Sequence, residues 1–219
     1  MTSEHPLPAL GARSSARFDS AIGTIEAEAR VVAHTTHDRR WALTHVRVLD
    51  AAPHVASRAQ PDSSGAESTP ALRPPDEPAI FAQLAHELDE YLAGTRRAFT
   101  VAIDLGDIDG FAVTVLACIL QIPYAHVASY GEIAAQAGSP GAARAVGTVC
   151  ARTPISLVIP VHRVVRANGS LGDYGARPGL KRQLIDLEDR VYTELKAART
   201  ASSSSAARKK SAAGAGSAS

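Results

Sequence analysis

The stretch from Ser129 to Gly147 constrains the fold more than any other. Ser129-Tyr130-Gly131-Glu132 has the form of a capping box: the serine oxygen accepts from the Glu132 amide while the Glu132 carboxylate returns to the Ser129 amide. A helix therefore starts at Tyr130, runs through Ile133-Ala134-Ala135-Gln136-Ala137 and stops at Gly138. Ser139 as N-cap, with Pro140 in the first turn where a missing donor costs nothing, predicts a second helix beginning at once. Two helices joined so tightly make a helix-turn-helix, a unit shared by DNA binders and by many other proteins. Gly141, Ala142, Ala143, Ala145 and Gly147 leave the second helix nearly bare, so its backbone can press close to DNA or pack on a neighbouring helix. Arg144 is the only long side chain between Pro140 and Val149. No set of Arg, Asn and Gln for reading a major groove occupies this helix, which disfavours a plain winged-helix transcriptional regulator.

The rest of the chain sets the context for that unit. With 219 residues, 45% hydrophobic and 21% charged, burial of a core is not in question. The formal net charge of +1 gives no global basic field, so nucleic-acid binding must come from local clustering of the 23 Lys and Arg residues. Cys118 and Cys150 have no CxxC spacing, which argues against a disulfide scaffold or a structural metal site; neither metal nor cofactor is expected. Apolar runs fall short of the roughly 18 residues of a membrane span, and Met1-Thr2-Ser3-Glu4-His5-Pro6 lacks the form of a signal peptide, so the expected place is the cytoplasm. A monomer is expected.

Read in order, residues 1–15 form a frayed, disordered terminus. Phe18 to Ile25 and Glu26 to Ala33 form two strands around a Gly-Thr turn, and Trp41 to Leu49 alternates as a third. Residues 51–78 collect Pro, Ser, Gly and acidic residues and read as a long mobile loop. Ile80, Leu84, Leu88, Tyr91 and Leu92 recur at helical spacing over 80–93, with Gly94 as cap, and Phe99 to Leu105 reads as a strand. A helix over 110–121 carries Phe111, Val115, Leu116, Ile119 and Leu120 on one face, with Cys118 as a small core residue. Val164 to Leu171 reads as a hairpin with an Asn-Gly turn, and Leu180 to Leu187 marks a final helix that carries Glu188. Beyond Glu194, a Ser- and Ala-rich segment with Arg208-Lys209-Lys210 reads as a disordered basic tail over 195–219, a source of weak, salt-sensitive DNA affinity or of solubility alone.

Ile159-Pro160-Val161-His162-Arg163-Val164-Val165 supplies the chemistry. Pro160 fixes φ and removes a donor, so Val161 and His162 interrupt an apolar strand. By itself this is as readily a satisfied histidine at a strand end as a site. Following Ala142-Ala143-Arg144-Ala145-Val146-Gly147 and Ser129-Tyr130-Gly131-Glu132 at short spacing, Pro-Val-His-Arg-Val resembles the Pro-Cys-His-Arg-Val signature of the O6-alkylguanine-DNA alkyltransferase (methylated-DNA–protein-cysteine methyltransferase) family. The resemblance covers about residues 80–190. It implies an α/β N-terminal domain, RNase H-like but divergent, over 16–106, followed by a winged helix-turn-helix DNA-binding domain over 107–194.

In that family the cysteine takes the alkyl group from guanine O6. Here Val161 holds its position, and an aliphatic side chain has no lone pair with which to attack. The chain is therefore similar to the alkyltransferase-like branch, which lacks the cysteine and binds alkylated bases without repairing them. The resemblance implies that Arg144 fills the gap left by a flipped nucleotide and that Tyr130 crowds the neighbouring phosphate. It also implies that Ala143, Gly147 and Arg163 contact DNA, and that Val161, Val164 and Tyr174 line the base pocket. His162 and Glu188 would remain as relay remnants; a buried His-Glu hydrogen bond is the structural alternative. Thr153 stands where the family usually has a bracing asparagine, and Gly175 to Pro178 departs from its lid sequence. The implied partners are duplex DNA containing O6-alkylguanine and nucleotide excision repair proteins. The rival is a methyltransferase that uses Cys150 as acceptor, disfavoured because the end of the second helix is expected to lie outside the pocket.

Overall fold

The computed structural model describes residues 9–35, 38–49, 79–106, 108, 110–172, 174 and 177–214. The loop expected over 51–78 and the altered lid residues Gly175 and Ala176 lie outside them. Strands β1 (Arg13–Ser20), β2 (Gly23–Thr35) and β3 (Asp38–Leu49) form an antiparallel sheet in the order β1-β2-β3. Arg13 pairs with Arg30, so ordered chain begins before the expected boundary at residue 16. The first hairpin turns at Ala21-Ile22, between Ser20 and Gly23, and not at the Gly-Thr pair.

Alternation along β2 sends Ile25, Ala27, Ala29 and Val31 inward. In β3, Glu28 faces His45 while Ala29 faces Leu43, leaving Thr44 as an extra residue. That bulge turns both Leu43 and Val46 into the core, although strict alternation would put them on opposite faces. The strand expected over Phe99 to Leu105 reduces to one parallel bridge, Leu43 to Ile103.

Helix α1 (Ala79–Leu92) buries Ile80, Phe81, Leu84, Leu88 and Tyr91 and packs on β1 and β3. Gly94 closes it at φ +76°, its amide 3.0 Å from the Tyr91 carbonyl. A β-carbon at Gly94 would stand 2.6 Å from Cγ2 of Val191, so the glycine also admits the last helix. Helix α2 (Gly110–Leu120) buries Val115, Leu116 and Ile119, with Cys118 half-buried against the core; Leu120, expected on the apolar face, is exposed.

Strand β4 (Ala128–Ser129) leads into α3 (Tyr130–Gln136), whose capping box is formed as expected. The next helix, α4 (Ala143–Arg152), starts later than Ser139-Pro140 foretold. Gly141 adopts φ +91° and Ala142 N–H donates to the Ser139 carbonyl at 3.1 Å, so Ser139 to Ala142 form a reverse turn with Pro and Gly at its centre. A 3-10 turn (Val161–Arg163) precedes β5 (Val164–Val165), which pairs in parallel with β4. The Asn-Gly turn is present: Arg166 N–H donates to Ser170 O at 2.9 Å and Gly169 has φ +76°. No described strand returns from it, so the expected hairpin is a short strand and a turn. β5 finds its partner in β4 instead.

Helix α5 runs from Pro178 to Gly214. The expected disordered tail is helical over most of its length. Few large apolar residues preclude a core of its own, but Ala, Lys and Arg are strong helix formers, and Leu180, Leu184 and Val191 seat the first half of the same helix. One buried cluster extends from Ile25 through α1, α2 and α3 to Val191, so sheet and helical half share a core. Among the described residues no helix is long and apolar enough to cross a membrane.

Candidate functional site

The 3-10 turn after Pro160 buries three consecutive side chains: Val161 at 3% exposure, His162 at 1% and Arg163 at 7%. Opposite them α5 brings Glu188, also buried. Its Oε1 is 3.0 Å from His162 Nε2 and accepts from the Tyr91 hydroxyl at 2.6 Å and from Arg163 Nη2 at 2.8 Å. Its Oε2 accepts from Arg163 Nε at 3.0 Å and from the amide of Ala125 at 2.9 Å. Four segments distant in sequence thus meet on one carboxylate.

Burial alone pushes the Glu188 carboxyl up. Hydrogen bonds from His162, Arg163 and Tyr91 outweigh it and hold the group down at about 2. Burial shifts His162 below its usual value despite Glu188, so the ring is neutral and its Nε2–H donates to the carboxylate. Nδ1 then carries the lone pair. It is buried without a hydrogen-bond partner. The Tyr91 phenol is raised first by burial and then by Glu188, and stays a protonated donor.

Val161 also lines a cavity of about 370 Å³ that includes Cys150, Thr153, Ser156, Tyr174 and Arg177. This is within the size range of small-molecule pockets. Arg177 Nη1 donates to Ile22 O at 2.7 Å and Leu49 O at 3.2 Å, tying the start of α5 to the sheet at the cavity rim. The Tyr174 phenol is raised by burial, and its hydroxyl lies near Ser156 and Leu157 without hydrogen-bond geometry to either. Cys150 was expected outside the pocket. The last turn of α4 instead brings it to the wall that Val161 shares, where burial pushes its thiol up to about 11 against a weaker opposing influence from Lys181.

Two other expected site residues belong to the core. Arg163, expected at DNA, spends its guanidinium on Glu188 and, through Nη1, on the Ile122 carbonyl at 2.8 Å, with its face 5.6 Å from the Tyr124 ring centroid. A buried, doubly committed guanidinium cannot also reach a phosphate. Val164 is fully buried in β5 and does not line the cavity.

On α4, Val146 anchors the inner face while Arg144, Ala145 and Thr148 are exposed. Gly147 faces Tyr130, where a β-carbon would make ordinary contact at 3.9 Å, and Ala143 is half-buried at the start of the helix. The close packing that the small residues permit is therefore used on one side, and the side bearing Arg144 stays bare. The half-buried Tyr130 ring lies below Lys181 Nζ, 5.7 Å from the centroid, with its hydroxyl against Gly172. Lys181 Nζ donates to Val164 O at 2.6 Å. Thr153 caps α4 by donating to Val149 O at 2.8 Å. The parts of this site not foreseen are Tyr91 and Arg177. Tyr91 is legible only as a helix-face residue, and nothing local distinguishes Arg177 from a surface cation.

Residues 110–190 match the pattern of the 6-O-methylguanine DNA methyltransferase DNA binding domain. A methylated-DNA–protein-cysteine methyltransferase of Mycobacterium tuberculosis is 44% identical over 112 residues, covering 51% of this chain and 67% of that protein. One of Methanosarcina acetivorans is 37% identical over 109 residues, covering 50% and 69%. Among solved structures, the M. tuberculosis O6-methylguanine methyltransferase superposes with a TM-score of 0.59 at 33% identity, covering 82% of this chain and 94% of that one. The OGT of the same organism in complex with DNA gives 0.58 at 34% identity, covering 80% and 92%. The α/β architecture, the capped helix pair and the Pro-Val-His-Arg-Val turn over Glu188 agree with this likeness, and the chain belongs to the O6-methylguanine DNA methyltransferase family.

Proposed function

We propose that this protein is an alkyltransferase-like damage binder, which flips O6-alkylguanine out of duplex DNA, holds it in the Val161 cavity and leaves the alkyl group in place. The observation that carries this reading is the pairing of an aliphatic Val161 on the cavity wall with an intact His162–Glu188 pair behind it. A base held there meets the Val161 wall and finds no nucleophile at position 161. In this reading the DNA-binding unit, 107–194, is a winged helix-turn-helix: α3 and α4 are its helix pair and the turn after β5 a reduced wing. The N-terminal unit, 16–106, is RNase H-like, supported by the antiparallel meander followed by a helix. Arg144 on the bare face of α4 fills the vacated stack, and Tyr130 and Ala143 lie beside it. The protein acts as a monomer without cofactor and hands the lesion to nucleotide excision repair, because bent DNA with an extrahelical base is a larger distortion than the lesion alone.

A titration of the full chain against duplexes with and without one O6-methylguanine tests the reading. Tighter binding to the alkylated duplex is expected, with the lesion recovered intact after displacement by competitor DNA. Equal affinity for both duplexes, or release of repaired guanine, contradicts it.

One observation favours a second reading. Cys150 lines the same cavity, so its sulfur is a candidate to attack the alkyl carbon, breaking the C–O6 bond as guanine leaves with the thiol proton. Against it, a thiol held near 11 offers little thiolate at neutral pH.

A further inference from the structure

A second cavity shares no lining residue with the Val161 pocket. It is a groove of about 870 Å³ between Arg97, the Pro123-Tyr124 and His126 loop, and the face of α5 from Tyr192 to Thr200. Arg97, Lys196 and Arg199 are exposed along it, and among the described residues no carboxylate lines it. Lys196 and Arg199, three apart, project from one helix face. Beside these cations lies an open ring: Tyr192 is 43% exposed and is held edge-on by His126 at 5.8 Å between centroids. The loop residue Tyr124 is 9% exposed, and its hydroxyl is buried without a hydrogen-bond partner. Arg97, Tyr192, Leu195, Lys196, Arg199 and Thr200 all fall outside residues 110–190, so most of this groove is built from chain beyond the matched DNA-binding domain.

We propose that this groove binds an unpaired nucleic-acid strand, with phosphates on Arg97, Lys196 and Arg199 and a base against the Tyr192 ring. Cations alone suit any polyanion. Cations interleaved with an exposed ring suit a strand, because each base offers a π-face to stack while the backbone follows the charge. An acidic peptide would use the cations and leave the ring idle. The tethered DNA-binding unit raises the local concentration of nucleic acid at the groove.

The test is fluorescence anisotropy of the full chain with labelled oligothymidylate of roughly 12 nucleotides at low salt. Combined Arg97→Ala, Lys196→Ala and Arg199→Ala is expected to weaken binding at least about tenfold and to flatten the log-log salt dependence by about 2. Tyr192→Ala is expected to weaken it with the slope unchanged. All four side chains are exposed, so unchanged unfolding midpoints are the control for folding. Excess unlabelled duplex bearing O6-methylguanine is expected not to displace the oligonucleotide. Absent binding, a triple variant that binds like wild type, or displacement by the duplex overturns the proposal. So does a polyglutamate peptide that binds with the cation dependence but not the Tyr192 dependence while oligothymidylate fails, an outcome that assigns the groove to an acidic protein partner.

Discussion

The hydroxyl of Tyr91 donates to Oε1 of Glu188 across 2.6 Å, joining the first helix to the last through a carboxylate that also holds His162. The His162 turn is therefore braced by a contact between residues 97 apart in sequence. Tyr91→Phe removes a charge-assisted hydrogen bond and is expected to cost about 2 kcal/mol. Glu188→Gln leaves Arg163 buried without its counter-charge and is expected to cost about 3 kcal/mol or more. Urea denaturation of both variants checks the order; equal and negligible losses would remove the hub from the account.

Acid should undo the same hub. Glu188 is held at about 2 when folded, below its ordinary 4.5, so the unfolded chain takes up its proton first. The stability it contributes is present above about 4.5 and lost as pH falls toward about 2. His162, depressed by burial, adds loss of the same sign below its ordinary 6.5. The gap in stability between wild type and Glu188→Gln is expected to be constant near neutrality and to shrink below pH 4.5, read from denaturation midpoints across that range. A gap that widens on acidification would contradict this sign.

Arg144 is exposed and its side chain is not needed for the fold. Arg144→Ala is expected to leave the unfolding midpoint in place and to weaken binding of alkylated duplex at least about tenfold, since unstacking a step costs a few kcal/mol that the arginine offsets. Unchanged affinity would mean that this face of α4 does not enter DNA.

Much of this arrangement could be read from local sequence. The capping box, the Gly94 cap and the apolar face of α1 depend on neighbours a few residues apart, and each formed as expected. What escaped was set by distant contacts. The Thr44 bulge is visible only in pairing with β2, β5 left its hairpin for β4, and Arg163 turned inward because Glu188 arrives from α5. Cys150 lines the cavity because the end of α4 packs beside the Val161 turn, a contact between segments that neither sequence announces. The helix beyond Glu194 was missed because inability to build a core was taken to mean inability to form a helix.

The neutral His162 ring, next in sequence to Val161, keeps an Nδ1 without a hydrogen-bond partner. Val161→Cys places a thiol there with a base already oriented by Glu188, and a modest loss of volume. This variant is expected to gain methyl transfer from O6-methylguanine DNA, and adding Glu188→Gln is expected to reduce that gain. Methyl counted on the peptide containing residue 161 reads the result; a Val161→Cys protein that stays unmethylated would show that more than the thiol has been lost.

The most direct measurement is the intact mass of the unmodified protein after prolonged incubation with excess O6-methylguanine duplex. On the proposed reading, with Val161 in place of an acceptor and the Cys150 thiol held near 11, the mass is expected not to change. An added methyl group, mapped to Cys150 or Cys118, would contradict the account and make this protein a transferase with a relocated acceptor.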